Sequence, residues 1–565
     1  MASNGEKSLA MMEETSRSAS PGPKRRPPKR KAKNPAEPKL QGKVRRVRNS
    51  VLALRPHLVD ANEVTSESEE TTRIRSAEKG TRKWNPKADD AKSDATSTTS
   101  HLSDAGIVGG SSSKPKTNGL FDYTEWLVAK LGDEQREALK HAFEKTTYMD
   151  LCAGLGTSLI VNEALKRALL PCAGATCTGL TESSKEKQVA LQRRLDKAGC
   201  SAVPVLASNA ALGSRHMQDV KGKAIEVPKA DILFMGIVCV DISRCSSTPK
   251  SLTDSEGASA ASWSDFMSYL QRLTFEDLPK AIILECVENL GNERKIGGTH
   301  EKGTMLVVEA LKEKGYVGKW VRISAIHFGL PQRRPRVWGL FLRTISGVGP
   351  KAVDSRTKDL TKALDFVQSA MYNGHDTVQD TLARVAKLTP TPAPTTSTKP
   401  RKPGAWKTKS HPKFIEKHGL TEADISMGKV EFYEKTSRVL GLREQEAVWL
   451  ELCRLRKRGT LPNWQHDLFV SDCGSSVDWL SVSKDCFPCL RPGNKYLVLH
   501  KGVAKIANGL ECLAVQGIGL NEIEAFGLSS EKESLLKSLA GNAFSANIAA
   551  AFFVASLLAS SLSES

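Results

Sequence analysis

The pattern of apolar and polar positions separates a polar N-terminal part of the chain from a longer part with regular elements. Residues 60–118 are rich in Ser, Thr, Lys and acidic residues and contain few apolar ones. A segment of this kind has little surface to bury, so we expect residues 1–118 to be disordered. Order is predicted to begin near Phe121–Trp126, and the apolar spacing predicts a helix over Asp133–Lys145.

From Tyr148 onward, short apolar runs alternate with stretches of helical spacing. These runs predict strands and helices in turn: strands at 231–235, 281–284 and 337–342, and helices at 262–273 and 303–314. Strands that alternate with helices are typical of a parallel sheet covered on both faces. The sequence therefore predicts an α/β fold with a doubly wound, mostly parallel sheet.

The pattern changes after Arg343. A Pro/Thr-rich stretch at 389–400 predicts a linker or loop, and a mixed region follows it, helical around 422–458 and strand-like at 496–500. Gly541 then opens an apolar stretch that predicts a helix to about Ala559. We therefore expect a first α/β part at 119–345, a smaller mixed domain at 346–500, and a returning α/β part at 501–565.

The net charge of +19 is concentrated at one end of the chain. Residues 1–50 carry 14 Lys and Arg against four acidic residues, with basic clusters at 24–31 and 43–48. Such a block predicts a basic arm that directs the protein to the nucleus through an import receptor. An arm that binds nucleic acid is an equal alternative, because Lys and Arg displace counterions from phosphates; a solubilising tail is a third.

The cysteines and the apolar runs exclude two classes of protein. Twelve cysteines in 565 residues are too sparse for a disulfide framework, so we expect reduced thiols. The longest apolar stretch, 548–559, is too short to span a bilayer, so no membrane association is expected.

A glycine-containing turn follows the first predicted strand of the α/β part. Gly154 and Gly156 in Asp150–Thr157 allow a sharp turn and a close approach of a ligand to the backbone, as cofactor loops of doubly wound sheets require. An ordinary tight turn is the alternative. Glu182 is placed to end the second strand, where a carboxylate would bind ribose hydroxyls, unless it is an exposed acid at a helix start.

Three further groups of candidate residues follow later strands. Cys239 lies after the strand at 231–235, where a stabilised thiolate would act as a nucleophile, although a lone cysteine is more often a small core residue. Glu285 lies at the tip of the strand that begins at 281, where burial favours the neutral carboxyl and suits it to proton donation. Three arginines at 333, 334 and 336 lie between two predicted strands, which favours a site over a solvated charge run.

The order of these motifs resembles that of the DNA cytosine-5 methyltransferase family, over roughly residues 148–345 and 485–560. Asp150–Gly156 is similar to the family's cofactor motif Asp-Leu-Phe-x-Gly-x-Gly, and Gly236–Ser243 to its catalytic loop Gly-x-Pro-Cys. The remaining segments that resemble the family are Asp219-Val220, Glu285-Cys286-Val287, Gly329–Arg336, Leu513–Ile518 and Ala540–Phe544.

The resemblance implies a methyltransferase that uses S-adenosyl-L-methionine and acts on DNA, with no metal. The implied cofactor-binding residues are Asp150, Leu151, Cys152, Gly154, Gly156, Glu182, Asp219 and Asn542. Cys239 would attack C6 of cytosine, Glu285 would hold and protonate the N3 edge, and Arg334 or Arg336 would orient the base and Glu285. The implied target-recognition domain is the mixed region at 346–500, and the flanking parts form the catalytic domain.

Four positions depart from the family's motifs. Cys152 replaces the cofactor-motif Phe, Val238 and Val240 flank the nucleophile in place of Pro and Gln, and Cys286 replaces Asn unless Glu288-Asn289 is the matching pair. A tRNA methyltransferase of the same fold and a non-catalytic nucleic-acid-binding homologue therefore remain alternatives. A zinc site at Cys486 and Cys489, with Cys473 and His466, is the weakest alternative.

Overall fold

The structure, a computed structural model, describes residues 118–561 apart from gaps at 214–215, 244–245, 247–249, 255, 297–298, 345–349, 373, 389–409 and 461–462. The predicted basic arm and the Pro/Thr-rich stretch lie outside the described residues, so what the sequence predicts about them stays a prediction.

A seven-stranded sheet forms the centre of the fold, and two hairpins accompany it. The strands of the central sheet are β1 (Thr147–Leu151), β2 (Thr176–Thr181), β3 (Val205–Leu206), β6 (Ile232–Gly236), β7 (Ala281–Val287), β10 (Tyr316–Ser324) and β11 (Pro335–Arg343). The hairpins are β4 (His216–Gln218) with β5 (Ala224–Glu226), and β8 (Glu293–Ile296) with β9 (Thr299–Lys302). The order in the sheet is β10-β11-β7-β6-β1-β2-β3, in which β11 runs antiparallel to both β7 and β10 and the other pairs are parallel. The doubly wound, mostly parallel sheet is therefore confirmed.

Helices cover both faces of this sheet. The helices of the described residues, of which α9, α10, α11 and α12 belong to the mixed region and not to the cover of this sheet, are α1 (Leu120–Ala129), α2 (Asp133–Lys145), α3 (Thr157–Ala168), α4 (Lys185–Lys197), α5 (Ala258–Arg272), α6 (Gly303–Lys312), α7 (Pro350–Ser369), α8 (Val378–Val385), α9 (His411–His418), α10 (Glu422–Ser426), α11 (Lys429–Thr436), α12 (Leu442–Lys457), α13 (Gly509–Val515), α14 (Leu520–Ala525), α15 (Glu533–Asn542) and α16 (Ala546–Ser561). One hydrophobic cluster packs helices α1, α2, α3, α4 and α16 against one face of the sheet. A second cluster packs α5 and α6 against the other face. Apolar surface on both faces of the strands is thus removed from water.

The returning segment supplies a helix to the centre of the core. On α16, Phe553 packs edge-on against Phe143, Tyr148 and Phe234, with ring centroids 5.2–6.0 Å apart. The sequence predicted that the segment Gly541–Ser545 opens this helix; the helix is present, but it begins later than Gly541. Gly541 and Asn542 end α15, and α16 begins only at Ala546.

A third hydrophobic cluster lies in the mixed region. It extends from Phe414 to Leu499 and packs helices α9, α10, α11 and α12 against a four-stranded sheet. The strands of this sheet are β12 (Phe469–Asp472), β13 (Val482–Lys484), β14 (Tyr496–His500) and β15 (Val503–Ile506), in the order β13-β12-β14-β15. By contrast, α7 and α8 contribute to the first cluster, beside the central sheet.

Within the described residues, no single helix is both long and apolar enough to cross a membrane. The pair α15 and α16 satisfies length and composition together, but it is bent by 46°, and the α16 side chains from Ile548 to Ala555 are fully buried in the core.

Candidate active site

The candidate residues lie at the carboxyl-terminal edge of the parallel strands. The glycine-containing turn follows β1, Glu182 follows β2, Cys239 follows β6, and Glu285 lies near the end of β7. Ligands of open α/β sheets bind at this edge, because the loops after parallel strands all meet there. The common placement therefore follows from strand direction alone.

The turn after β1 has a backbone conformation that glycine favours. Cys152, Gly154 and Gly156 have φ angles of 60°, 54° and 75°. Gly156 is the N-cap of α3, and a Cβ there would lie 2.9 Å from Leu191 of α4. The two glycines let the chain turn from strand to helix while α4 packs closely against it.

Glu182 is bonded to this turn. Its Oε2 accepts a hydrogen bond from the Gly154 N–H at 3.1 Å, and its Oε1 accepts from the Ser184 N–H at 2.8 Å. Because the side chain is buried, the carboxylate is held in one orientation at the end of β2. The structure thus brings two of the predicted cofactor-binding residues, Glu182 and Gly154, into contact.

Asp150 lies beneath the turn and is fully buried. The Ser158 hydroxyl donates to its Oδ2 at 2.7 Å, whereas its Oδ1 has no hydrogen-bond partner in the part of the chain that the structure describes. Burial raises the pKa of Asp150 to about 7, with the Ser158 bond acting in the opposite direction. Leu151, the next residue, is also fully buried.

Cys152 takes part in a small polar cluster that the sequence did not reveal. Asn209 donates to the Cys152 Sγ at 3.2 Å and accepts from the Thr181 hydroxyl at 2.6 Å, and Ser262 lies within 3.5 Å of Asn209. Asn209 follows β3 and is buried. Its position after the third parallel strand could have indicated Asn209 as a site residue. However, β3 is only two residues long, which is too short to give an apolar run that predicts a strand.

The remaining two predicted cofactor residues lie in different surroundings. The Oδ1 of Asp219 accepts hydrogen bonds from the Lys221 and Lys223 N–H groups, both at 2.9 Å, in the turn between β4 and β5. Asn542, at the end of α15, approaches the glycine-containing turn: a Cβ added at Gly154 would lie 3.7 Å from the Asn542 Cβ. Asn542 therefore lies close to the glycine-containing turn, whereas the Asp219 carboxylate stabilises the turn of the hairpin β4–β5.

Cys239 is carried by the loop that follows β6. The Ile237 N–H donates to the Glu285 carbonyl at 2.9 Å, which joins the start of this loop to β7. The thiol is half-buried, while the neighbouring Val240 is 60% exposed. Burial and then Glu285 raise the pKa of Cys239, against the opposing effect of Arg336 and Arg334.

Glu285 pairs with Arg336 across the strands. The Arg336 Nε lies 2.9 Å from the Glu285 Oε1, and both side chains are largely buried. The antiparallel register of β11 places Arg336 opposite Val287, so Arg336 and Glu285 lie on the same face of the sheet. Glu288, the alternative carboxylate, pairs instead with Arg322.

The three arginines of the cluster have different environments. Arg333 is exposed. Arg334 is buried and donates to the carbonyls of Leu490, Gly541 and Ala543 at 3.0–3.4 Å. It therefore joins the central sheet to the returning segment, whereas Arg336 faces the candidate acid.

Cys489 completes the group around Arg336. Its Sγ accepts from the Arg336 Nη2 at 3.3 Å and lies 3.8 Å from the Arg334 Nη1. In the sequence this cysteine suggested only the zinc alternative, because nothing local indicates that the two arginines meet it. No group of three or more metal-binding side chains is found among the described residues.

Comparison with known proteins identifies a family whose sequence model matches this chain. The sequence model of the family described as C-5 cytosine-specific DNA methylase matches residues 172–552, well over half of the chain. A curated relative, the DNA (cytosine-5-)-methyltransferase DMT5 of Cryptococcus neoformans var. grubii, is 24% identical over 470 residues, which are 78% of this chain and 18% of the relative. The type II methyltransferases M.BanI of Aneurinibacillus aneurinilyticus and M.NgoBI of Neisseria gonorrhoeae are each 26% identical, over 37% and 33% of this chain and 40% and 55% of their own lengths.

The chain thus spans less than two thirds of each of these curated relatives. Solved structures that match this chain include the S. pombe Dnmt2 methyltransferase, at 13% identity and a TM-score of 0.39, with 74% of this chain and 99% of that chain covered. The Entamoeba histolytica methyltransferase EhMeth is 11% identical with a TM-score of 0.37, and 74% and 98% are covered.

Proposed function

Because the chain belongs to the C-5 cytosine-specific DNA methylase family, we propose that it transfers a methyl group to C5 of cytosine in DNA. The family uses S-adenosyl-L-methionine as methyl donor. The observation that carries the proposal is the pairing of Glu285 with Arg336 near the end of β7, with Cys239 in the loop after the neighbouring strand β6 and under the electrostatic influence of both.

Cys239 is the proposed nucleophile. Its Sγ loses its proton to water and forms a bond to C6 of cytosine, while Glu285, held by Arg336, supplies a proton to N3. The electron pair of the C5–C6 double bond then makes C5 nucleophilic toward the methyl group. The C5 proton is then lost to water, the thiolate departs from C6, and the N3 proton returns to Glu285, which restores the double bond and frees the enzyme.

The raised pKa of Cys239 fits a thiol that is activated only when substrate is present. Burial favours its neutral form in the free protein, so the resting nucleophile is a thiol. Arg336 and Arg334 act in the opposite direction and stabilise the thiolate as it forms.

The residues around the turn after β1 fit the proposed cofactor. The Oδ1 of Asp150 is buried without a partner in the described residues, and Glu182 is oriented toward Gly154. A bound S-adenosyl-L-methionine would be held by Asp150, Leu151, Cys152, Gly154, Gly156 and Glu182, with Asn542 closing the turn from the opposite side, and it would supply an electrophilic methyl group. Asp219 is a further proposed contact, and its Oδ1 accepts two backbone hydrogen bonds that fix the turn between β4 and β5.

The proposed reaction requires access to both faces of the cytosine ring, so a duplex substrate has its target base flipped out of the stack. We assign the recognition of flanking bases to the mixed region at 346–500, within which the unit around the third hydrophobic cluster is separate from the core of the central sheet. The nuclear location and the role of the basic arm are proposed from the charge of residues 1–50.

The test is a methyl-transfer assay with labelled S-adenosyl-L-methionine on unmethylated DNA, hemimethylated DNA and tRNA in parallel. We expect label in DNA cytosine and its loss in Cys239→Ala. Label in tRNA alone would show that the substrate is tRNA and not DNA. Cofactor binding without transfer to any substrate would identify a non-catalytic homologue.

A further inference from the structure

The turn that carries Cys489 is attached to the arginine segment by backbone hydrogen bonds. The Phe487 N–H donates to the Pro331 carbonyl at 2.7 Å, and the Arg333 N–H donates to the Phe487 carbonyl at 2.9 Å. Gln332 and Phe487 form a β-bridge in this way. The position of Cys489 beside Arg336 is therefore fixed by the main chain as well as by side chains.

Arg336 lies between Cys489 and Glu285. Its Nη2 donates to the Cys489 Sγ at 3.3 Å, and its Nε lies 2.9 Å from the Glu285 Oε1. A guanidinium group has a rigid, planar set of donors, so partners on two sides fix its orientation. Without Cys489, Arg336 would keep Glu285 and the Pro335 carbonyl, to which its Nη1 donates at 2.8 Å, but its Nη2 would lose the bond to Cys489.

The charges around Cys489 favour its ionised form. Burial alone would raise its pKa, but Arg336 and then Arg334 outweigh burial, so that the pKa lies below its usual value. Glu285 opposes this effect. Cys239 is also in electrostatic contact with Cys489, and the Tyr496 hydroxyl donates to the Cys489 carbonyl.

We propose that Cys489, as a thiolate, is a positioning residue of the active site that holds Arg336 against Glu285. This assignment rests on the proposed function for its effect on methyl transfer, although the thiolate–arginine pair itself does not. A charge-assisted bond to a thiolate is stronger than one to a neutral thiol, so the orientation of Glu285 depends on the ionisation of a residue supplied by the mixed region.

The first test measures ionisation without any need for activity. The ultraviolet absorbance of thiolates is titrated in the full chain and in Cys489→Ser, and their difference gives the titration of Cys489. We expect a midpoint below that of an ordinary thiol, and a rise of that midpoint when both proteins carry Arg336→Gln. A midpoint at or above that of an ordinary thiol, or one that Arg336→Gln leaves unchanged, overturns the proposal.

Alkylation by iodoacetamide, read by peptide mass spectrometry, compares the pH dependence of Cys489 with that of another cysteine in the same protein, with no cysteine replaced. Cys200 is the internal control, because it is also partly exposed but has a raised pKa. Cys489 should react at lower pH than Cys200, and this difference in pH dependence should be absent in Arg336→Gln. Equal pH dependence of the two cysteines contradicts the proposal.

The second test concerns catalysis. Cys489→Ala should lower kcat about tenfold or more, since small misplacements of catalytic groups are costly, with the KM for S-adenosyl-L-methionine unchanged. Cys489→Asp, which restores an anion, should recover part of this loss. The matched control is Cys486→Ala in the same turn, whose thiol has a raised pKa; an equal loss in this control, or no rescue by Asp, means that Cys489 merely supports the turn.

The two proposals fail in different ways. If no nucleic acid is methylated while Cys489 still titrates as an arginine-bound thiolate, the proposed function is wrong and the pair stands. If methylation proceeds at an unchanged rate in Cys489→Ala, the positioning role is wrong and the proposed function stands.

Discussion

Arg334 and Arg336 are two residues apart, yet their side chains have different roles. Arg336 faces a carboxylate and a thiol, whereas Arg334 donates to three backbone carbonyls in two later segments of the chain. A buried carbonyl without a donor costs free energy comparable to that of a hydrogen bond. We therefore treat Arg334 as a residue that holds the site together and Arg336 as one that takes part in it.

The first prediction compares Arg334→Gln with Arg333→Gln. Removal of the Arg334 guanidinium leaves buried carbonyls unpaired, at about 1–3 kcal/mol for each unsatisfied group, so the free energy of unfolding should fall by about that amount or more. Arg333 is exposed, and its replacement should cost little. Urea unfolding measures both, and equal effects would contradict the assigned role of Arg334.

The second prediction concerns Asp150 and pH. Its pKa is raised to about 7 in the folded protein, so the folded state opposes ionisation. The folded protein should therefore lose stability as pH rises from the unfolded pKa near 4 to about 7, and the loss should be complete above that range. In Asp150→Asn the contribution of Asp150 to this loss should be absent, whereas Glu522, whose pKa burial also raises to about 7, contributes to both proteins, so the Tm difference in favour of the variant should grow across this range.

The control for Asp150→Asn is Asp133→Asn, because Asp133 is a surface residue at the start of α2. A Tm difference between wild type and Asp150→Asn that stays constant from pH 4 to 8 would show that Asp150 is not held in a site that resists its ionisation.

At this scale, the sequence predicted Cys239, Glu285 and the arginines because each follows or precedes a recognisable apolar strand. It did not predict Asn209 or Cys489. Asn209 follows a two-residue strand, and Cys489 reaches Arg336 only through contacts between segments more than 150 residues apart. Such contacts leave no local pattern in the sequence.

At the scale of elements, the antiparallel strand β11 decides the geometry of the site. Because β11 runs opposite to β7, its beginning lies beside the end of β7, and Arg336 reaches Glu285. The apolar runs predicted both strands but not their relative direction, since burial on both faces gives the same pattern for either direction. The α/β class, the helix Asp133–Lys145 and the strand Tyr496–His500 were predicted with their bounds.

The returning segment shows the opposite case, in which an expected boundary was wrong. Gly541 was expected to lie where a helix opens, and it lies instead in the last turn of α15, where the backbone of Arg491 and Pro492 leaves no room for a Cβ. This close approach depends on a part of the chain about 50 residues away, so local spacing could not reveal it.

The third prediction tests this close approach. In Gly541→Ala the new Cβ would overlap the backbone of Arg491 and Pro492, and overpacking of this kind costs about 1–3 kcal/mol. We expect a lower Tm and weaker binding of S-adenosyl-L-methionine, because the adjacent Asn542 closes the turn at Gly154. Ser534→Ala, at an exposed position of the same helix, is the control and should change neither quantity.

At the scale of the whole molecule, the positive charge of the sequence is concentrated in residues 1–50. Fourteen basic residues fall within residues 1–50, whereas residues 51–100 contain eight basic and nine acidic residues. The first segment should therefore contact nucleic acid through phosphates, and the second should not.

The fourth prediction follows from this difference. Deletion of residues 1–50 should reduce the slope of log K against log salt for duplex DNA by about 0.9 for each phosphate that the arm neutralises. The control deletes residues 51–100, which removes equal length but almost no net charge. If the two deletions change the slope equally, the basic clusters do not bind the phosphates of DNA.

The most direct test of the account is covalent trapping of Cys239. An oligonucleotide that contains 5-fluorocytosine blocks loss of the C5 substituent, so an enzyme that works through Cys239 stays attached to it in the presence of S-adenosyl-L-methionine. We predict a stable adduct on the peptide that contains Cys239, its loss in Cys239→Ser, and its persistence in Cys200→Ser. An adduct on another residue, or cofactor binding with no adduct on DNA or tRNA, would contradict the central claim.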